Sequence, residues 1–254
     1  MFEGKNIVIT GSIGGIGGSI ARAFLREKGN VIIHGRSKVQ DSKNFKDLSA
    51  EFPGKVGGLT ADLTSEEGRE KFALSVKKLF SSVDHFVGCV GNGNVSKGAF
   101  ISRGDWNDIL EQNFFSNVSL IPKIVPLMNK KNDRSITFIG SIAGLTRLKA
   151  PIAYGVAKRM LDTFVRLACP ELAVLGIRIN IVHPGNISFP GGRWEELAAN
   201  DSQSVKNYIE TSVPQKRFGA PEEIASLVLF VASPQAQFIT GSSFVADGGQ
   251  NASL

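Results

Sequence analysis

Short apolar runs alternate with longer amphipathic stretches along the whole of this chain, and that alternation restricts the fold more than any single motif. Asn6–Thr10 (NIVIT) is a compact β-branched run, and residues 16–28 follow with apolar side chains at helical spacing: Ile16, Ile20, Ala23 and Phe24. Further apolar runs fall at 31–34, 55–60, 85–90, 135–140, 177–182 and 242–246. Helical patterns fall at 65–80, at 154–175, where Pro170 is expected to interrupt the helix, and at Pro221–Ala232. Strands that alternate with helices make parallel β-α-β units. Both faces of a parallel sheet are covered, so its strands read as continuous apolar runs, as several of these do. The expectation is an α/β fold, a doubly wound three-layer sandwich around a seven-stranded parallel sheet. No repeat, low-complexity tract or linker interrupts the 254 residues, so one domain is expected over 1–254. The polar stretch at 186–212 breaks the rhythm and reads as a lid.

Composition excludes several classes. With 42% hydrophobic and 20% charged residues the chain is too apolar to remain disordered, and no run reaches the ~18 apolar residues of a membrane span. Cys89 and Cys169 sit in apolar contexts and read as buried thiols of a reducing compartment. The N-terminus lacks a basic segment followed by an apolar one, so a cytoplasmic location is expected. His34, His85 and His183 are scattered without ligand spacing, so no metal is expected. The net charge of +6 invites a nucleic-acid reading. The basic residues are dispersed, however, and their densest pairs, Lys77-Lys78 and Lys130-Lys131, are short. The expectation is therefore no nucleic-acid and no membrane partner, with a basic surface suited to an anionic small molecule.

Five glycines fall within residues 11–18, directly after the first strand and at the start of the first helix. Glycines allow the sharp turn and let backbone N–H groups approach a pyrophosphate at a helix N-terminus. The alternative is a tight turn without a ligand. The spacing is G-x-x-x-G-x-G: Gly11, Gly15, Gly17. After the second strand comes Gly35-Arg36-Ser37, with no acidic residue to accept hydrogen bonds from a ribose 2′-hydroxyl. Arg36, flanked by Ser37, suits a 2′-phosphate, which favours NADP(H) and leaves NAD(H) as the second choice. An exposed loop arginine is the bland alternative.

Tyr154 and Lys158 are four residues apart in a helical pattern and so share a face. Ser141 lies at the end of the fifth strand, and strand C-termini are where open α/β sheets place their sites. A tyrosine near pKa 10 is a poor base at neutral pH, and a neighbouring ammonium lowers it. A surface Tyr–Lys pair is common, so the pair alone would be weak evidence.

The full set carries more. The glycine turn (Thr10–Gly17 as TGxxxGxG), Ile139-Gly140-Ser141, Tyr154-x-x-x-Lys158 and His183-Pro184-Gly185 resemble, in order and spacing, a classical short-chain dehydrogenase/reductase with a Rossmann-type fold. The resemblance covers essentially the whole chain. It extends to Arg217–Glu223, Ile239-Thr240-Gly241 and Asp247-Gly248-Gly249. Its 3-oxoacyl carrier-protein reductases are the closest general likeness. The resemblance implies that Tyr154 protonates a carbonyl oxygen or takes the proton of the corresponding alcohol. Ser141 would orient that oxygen, Lys158 would lower the Tyr154 pKa and hold the nicotinamide ribose, and Asn113 would support a water relay. Implied cofactor contacts are Gly11, Ser12, Ile13, Gly15, Ile16 and Gly17 in the turn, Arg36 and Ser37, Asp62 and Leu63 after the third strand, and Cys89, Val90 and Gly91 after the fourth. Tyr154, Lys158, Pro184, Gly185 and Ile187 complete the set. A homotetramer or homodimer is implied as well.

Two departures stand out. The family's N-N-A-G is Gly88-Cys89-Val90-Gly91 here, which removes two amide side chains, although Asn92-Gly93-Asn94 follows directly. Phe189 stands where the family often has a threonine beside the nicotinamide carboxamide. The substrate pocket is expected from 92–100, 144–151 and 189–211. There Arg147, Lys149 and Arg193 would meet an anionic substrate or, alternatively, face solvent. The leading function is NADP(H)-dependent reduction of a carbonyl, on an acyl chain or on a sugar-pathway intermediate. The alternative from another class is a nucleotide-binding sensor or scaffold without turnover.

Overall fold

In the computed structural model, residues 1–96, 98–130 and 133–253 are described. Lys97 in the expected pocket segment and Lys131 of the second basic pair lie outside them. Seven parallel strands form one sheet in the order β3-β2-β1-β4-β5-β6-β7. They are β1 (Asn6–Thr10), β2 (Asn30–Gly35), β3 (Val56–Thr60), β4 (His85–Gly88), β5 (Arg134–Ile139), β6 (Ile177–Pro184) and β7 (Ser243–Ala246). The order reverses between β1 and β4, and the crevice above that switch point is where doubly wound sheets bind ligands. The expected α/β sandwich is the fold observed.

Alternate residues of each central strand face opposite layers. Ile7 and Ile9 of β1 pack with α1 (Gly15–Arg26) and α10 (Pro221–Ala232), through Ile20, Phe24, Ile224 and Val228. Val8 faces the other layer, with Phe72 and Val76 of α3 (Glu66–Leu79) and Leu161 and Val165 of α7 (Ile152–Val174). Every residue of β6 is buried, and its polar members are hydrogen-bonded: Arg178 to the Ala232 carbonyl, Asn180 to the Ile239 carbonyl, and His183 as treated below. The edge strands β3 and β7 are only half-buried, as the glycines of β3 foreshadow.

The structure adds elements that the periodicity left unread. A helix α2 (Lys43–Glu51) is capped by Ser42, whose hydroxyl accepts the Phe45 N–H at 3.2 Å. Residues 103–124 form α4 (Arg103–Leu110), a π-helical turn (Glu111–Phe115), α5 (Ser116–Val118) and α6 (Ile121–Ile124). The start of α4 was legible in Ser102-x-x-Asp105, a reciprocal capping box. The polar stretch at 186–212 contains α8 (Arg193–Asn200) and α9 (Ser202–Ser212), neither of which has a buried residue.

One expectation is corrected: α7 runs through Pro170 unbroken. Pro170 and Arg166, whose carbonyl loses its helical partner, both lie on the exposed side of the helix, so that carbonyl is not buried without a partner. Among the described residues no helix is long and apolar enough to cross a membrane, and no group of three His, Cys, Asp or Glu side chains is arranged to hold a metal ion.

Candidate active site

A cleft of about 1050 Å³ opens at the C-terminal ends of β1, β4, β5 and β6. The glycine turn forms its floor. Gly11 has φ 62°, and a Cβ there would lie 2.9 Å from the Cys89 carbonyl oxygen. A Cβ on Gly17 would lie 2.3 Å from the Gly11 carbonyl oxygen, so first strand, turn and helix pack backbone against backbone. The turn is braced from β2: Gly11 N donates to His34 Nδ1 at 3.2 Å and Ser12 N to the His34 carbonyl at 2.8 Å. Burial pushes the His34 imidazole down to about 4, so it stays a neutral acceptor. Gly14, at the N-cap of α1, makes no side-chain cap, and the first turn of the helix faces the cleft. Uncapped N–H groups there suit an anion.

Arg36 lies exposed at the mouth beside Asp62. Hydrogen bonds from Thr64 to the Asp62 carboxylate, with the Arg36 charge adding to them, hold that carboxyl below its usual range. Leu63 also lines the wall. Across the cleft stand Cys89, Val90 and Gly91, with Pro184, Gly185 and Ile187 at the end of β6. Three of the expected cofactor and catalytic residues are not in the wall. Ser12 is fully buried, donating to the Ile9 carbonyl at 2.7 Å and accepting the His34 N–H at 2.9 Å. Ser37 is exposed outside the cleft, and its carbonyl accepts from Thr60. Asn113 is buried behind the wall in the π turn, with Oδ1 accepting the Asn92 N–H at 2.8 Å.

The missing amide side chains after β4 are replaced locally. Cys89 N donates to Thr10 Oγ1 at 3.2 Å, and Asn117 Nδ2 donates to the Val90 carbonyl at 2.9 Å. Asn92 reaches Gln112 Oε1 at 3.4 Å, which brings Gln112 to the cleft. A Cβ on Gly91 would lie 2.8 Å from Lys158 Nζ and 3.1 Å from Asn113 Oδ1. Those two polar atoms thus converge on one point beside the cleft.

Ser141, Tyr154 and Lys158 all line the cleft. Ser141 lies two residues beyond β5 and caps the next turn, its Oγ accepting the Ala143 N–H at 3.2 Å. Burial raises the Tyr154 phenol above its ordinary value, and a hydrogen bond with Ser141 pulls against that rise. Lys158 is buried, donates to the Ile139 carbonyl at 3.0 Å, and is brought down to about 8 by desolvation. Its Nζ is 5.9 Å from the Tyr154 ring centroid. The ammonium faces the Ile139 carbonyl and the Cys89 side of the cleft.

Residues 186–212 cover the open side. Ser188 N donates to the Gly219 carbonyl at 3.0 Å and Gly219 N to the Asn186 carbonyl at 2.9 Å, which pins the segment where it leaves and returns. The Phe189 ring lies on the glycine turn, since a Cβ on Gly15 would meet it at 2.9 Å. Trp194 stacks on Tyr208 (centroids 5.0 Å apart) and packs at a tilt of 40° on Phe218 (4.5 Å). Lys149 and Arg193 line the cleft, whereas Arg147 is exposed outside it. Arg193 Nη1 donates to the Gly93 carbonyl at 3.4 Å. Sequence reasoning missed Gln112 and Asp162. The second was legible, since 154, 158 and 162 are successive i, i+4 positions on one helix face.

Fold and site define a Rossmann-type α/β protein whose cleft has the shape and donors for a dinucleotide. A family model described as enoyl-(acyl carrier protein) reductase matches residues 11–251. A 3-oxoacyl-(acyl-carrier-protein) reductase, FabG, of Salmonella typhimurium is 33% identical over 252 residues, covering 98% of each chain. Among solved structures, an RhlG/NADP complex of Pseudomonas aeruginosa is similar at 29% identity and TM-score 0.89, covering 98% of this chain and 97% of that one. An L-sorbose reductase of Gluconobacter frateurii, complexed with NADPH and L-sorbose, is similar at 28% identity and TM-score 0.91, covering 100% and 98%. The chain belongs to the short-chain dehydrogenase/reductase family and is an NAD(P)-dependent oxidoreductase.

Proposed function

We propose that the protein reduces a carbonyl, or oxidises the corresponding secondary alcohol, with NADP(H) as cofactor and Tyr154 as general acid/base. The observation that carries this reading is the meeting of Tyr154 with Ser141 beside buried Lys158, on the cleft that the glycine turn opens. When bound, the nicotinamide supplies or takes the hydride. Ser141 holds the substrate oxygen and stabilises charge that develops on it. Tyr154, a protonated phenol at neutral pH, gives its proton to that oxygen in reduction. Lys158 offers N–H donors to a ribose hydroxyl. Asn113, beside Lys158 at Gly91, positions the polar atoms through which the proton is replaced.

The turn residues Gly11, Ile13, Gly15, Ile16 and Gly17 meet the pyrophosphate, and Asp62 with Leu63 the adenine side. Cys89, Val90, Gly91, Pro184, Gly185 and Ile187 flank the nicotinamide half. Arg36 at the mouth, with no carboxylate at the end of β2, favours a 2′-phosphate, and the NADP and NADPH complexes of the similar proteins support that choice. Residues 186–212 act as the substrate lid, with Trp194 and Tyr208 on the cleft. Lys149 and Arg193 suit an anionic substrate. A sugar-type substrate is a second reading, favoured by Asn92 and Gln112 near Trp194. Exposed Phe115, Ile152 and Val156 near the ends of the π turn and α7 support a homo-oligomer.

Side-by-side fluorescence titration with NADPH and NADH tests the cofactor reading. NADPH should bind more tightly, and Arg36→Ala should lose about 10- to 100-fold of that affinity while NADH is spared. Turnover is then followed with the N-acetylcysteamine thioester of acetoacetate and with L-sorbose. Tyr154→Phe should bind NADPH as wild type does and lose at least about 100-fold in turnover. Retained turnover in that variant would sink the mechanism, and absent binding of either nucleotide would favour the scaffold.

A further inference from the structure

A second polar cluster lies directly beneath Ser141. His183 in β6 and Asp162 in α7 are both buried, with side-chain exposures of 0% and 2%. The imidazole Nε2 is 3.0 Å from Asp162 Oδ1. On its other edge, Nδ1 accepts the Ser141 N–H at 3.2 Å and lies 3.1 Å from the Ser141 carbonyl. The ring is pressed onto the backbone just before Ser141: a Cβ on Gly140 would come within 2.4 Å of Nδ1. Asp162 is held in turn by Arg166 Nε at 3.1 Å, by the Ser243 hydroxyl, and by Arg159 at 3.7 Å.

We propose that Asp162 and His183 form a buried relay that positions Ser141, fixing the backbone from which its hydroxyl reaches Tyr154. The proposal rests on the reading of Ser141 as a catalytic residue. His183 and Asp162 touch no reacting atom and are positioning residues.

The proton bookkeeping fits one arrangement. Burial would raise the Asp162 carboxyl, but hydrogen bonds from Ser243 and His183, with Arg166, bring it below its ordinary value, so it is a carboxylate. Burial and the Lys158 charge push His183 down against the pull of Asp162 and of the Ser141 carbonyl, so the ring is neutral at pH 7. A carboxylate at Nε2 requires the proton there, which leaves Nδ1 as an acceptor. Only that tautomer takes the Ser141 N–H; a proton on Nδ1 would turn the ring toward the Ser141 carbonyl instead. The carboxylate therefore selects, through the ring, which backbone group of Ser141 is held.

Position along α7 gives the relay its meaning. Tyr154, Lys158 and Asp162 follow one another on one face. Lys158 grips the Ile139 carbonyl directly, and Asp162 grips Ser141 through His183. The same helix that presents the acid thus sets the end of β5 at two points two residues apart. An apolar residue at 183 would fill a strand position whose neighbours Ile181 and Val182 are fully buried, with no charge to desolvate beside it. Burying a carboxylate against a neutral imidazole costs desolvation, so the value of the pair lies in placement.

The test uses two readouts. With ¹⁵N-histidine labelling, only three imidazoles report. His183 should appear at pH 7 protonated at Nε2 alone, and Asp162→Asn should shift that tautomer together with the Ser141 amide resonance. A His183 protonated at Nδ1, or doubly protonated, overturns the relay whether or not a substrate is known. With whichever of the acetoacetyl thioester or L-sorbose is turned over, His183→Ala and Asp162→Asn should lower kcat about 10- to 100-fold with KM for both substrates within about twofold. In a Ser141→Ala background the same changes should cost less than about twofold, because the residue they position is gone. Losses that multiply in that background mean a merely structural role and overturn the proposal. Asp162→Asn is nearly isosteric and carries the test should His183→Ala fail to fold. Wild-type turnover in Ser141→Ala alone would instead fail the catalytic reading of Ser141, a separate result.

Discussion

The two sides of the cleft are built from different materials. The glycine turn and α1 are made of backbone packed on backbone, with six residues of α1 buried against the sheet. Facing them, α8 and α9 bury no residue, and their order rests on exposed caps and one aromatic stack, Trp194 with Tyr208 and Phe218. A surface made of backbone offers the same donors whatever side chains surround it, which suits a ligand that does not vary. A surface made of exposed side chains on weakly anchored helices is free to differ, and such segments open at low free-energy cost. In the proposed function the cofactor meets the first side and the substrate the second.

The strongest way to break that contrast is Gly17→Ala. Its Cβ meets backbone atoms that cannot move aside, so Tm should fall by about 4–10 °C and both NADPH and NADH should lose affinity together. Thermal melts and nucleotide titration check this; unchanged binding would mean the turn does not hold the pyrophosphate. At the seam between the sides, Lys158 allows a sharper cut. Its native pKa of about 8 lies below the unfolded value, so the unfolded chain binds the extra proton between those limits. Stability should therefore rise with pH from about 8 to about 10.5, by about 3 kcal/mol, and Lys158→Met should lack that rise in urea unfolding followed against pH.

On the other side, Trp194→Ala should shift Tm by no more than about 3 °C and leave nucleotide affinity alone. It should raise KM for the carbonyl substrate by about tenfold with kcat little changed. A matching loss of NADPH affinity would erase the division between the two sides. The smallest effect is expected where the covering segment returns. Arg217 and Glu223 form an exposed pair that holds the Glu223 carboxyl down to about 2. Its contribution is present above the ordinary carboxylate range and is lost as pH falls toward 2. Glu223→Gln should cost less than about 1 kcal/mol at pH 7, measured by chemical denaturation.

Much of this was legible in the chain. The seven-stranded parallel sheet followed from the alternation of apolar runs, because a parallel sheet must bury both faces, whereas the order of its strands came from the structure. Tyr154 and Lys158 share a face by spacing alone. What was not legible depended on distant partners. Asn113 was expected in a water relay, but its place in a π turn behind Gly91, with Oδ1 on the Asn92 N–H, involves a partner twenty-one residues away. Ser12 belongs to a motif that touches ligand in the expectation, yet His34 in the next strand turns it inward. The stretch 186–212 was read as a lid with no elements assigned, although Trp194, Leu197 and Ala198, and then Val205, Tyr208 and Ile209, fall at i, i+3, i+4 and mark its two helices.

The sequence by itself determined which segments become strands, where the glycines bend the chain, and which residue types reach the ends of β1 and β5. These are local matters of side-chain period, backbone freedom and reach. Only the tertiary structure decided the electrostatics: that burial raises the Tyr154 phenol while Ser141 pulls against the rise, and that a buried carboxylate meets the Ser141 backbone through a histidine of a neighbouring strand. Charge interactions depend on distance and on the exclusion of water, and both are set by packing between residues far apart in the chain.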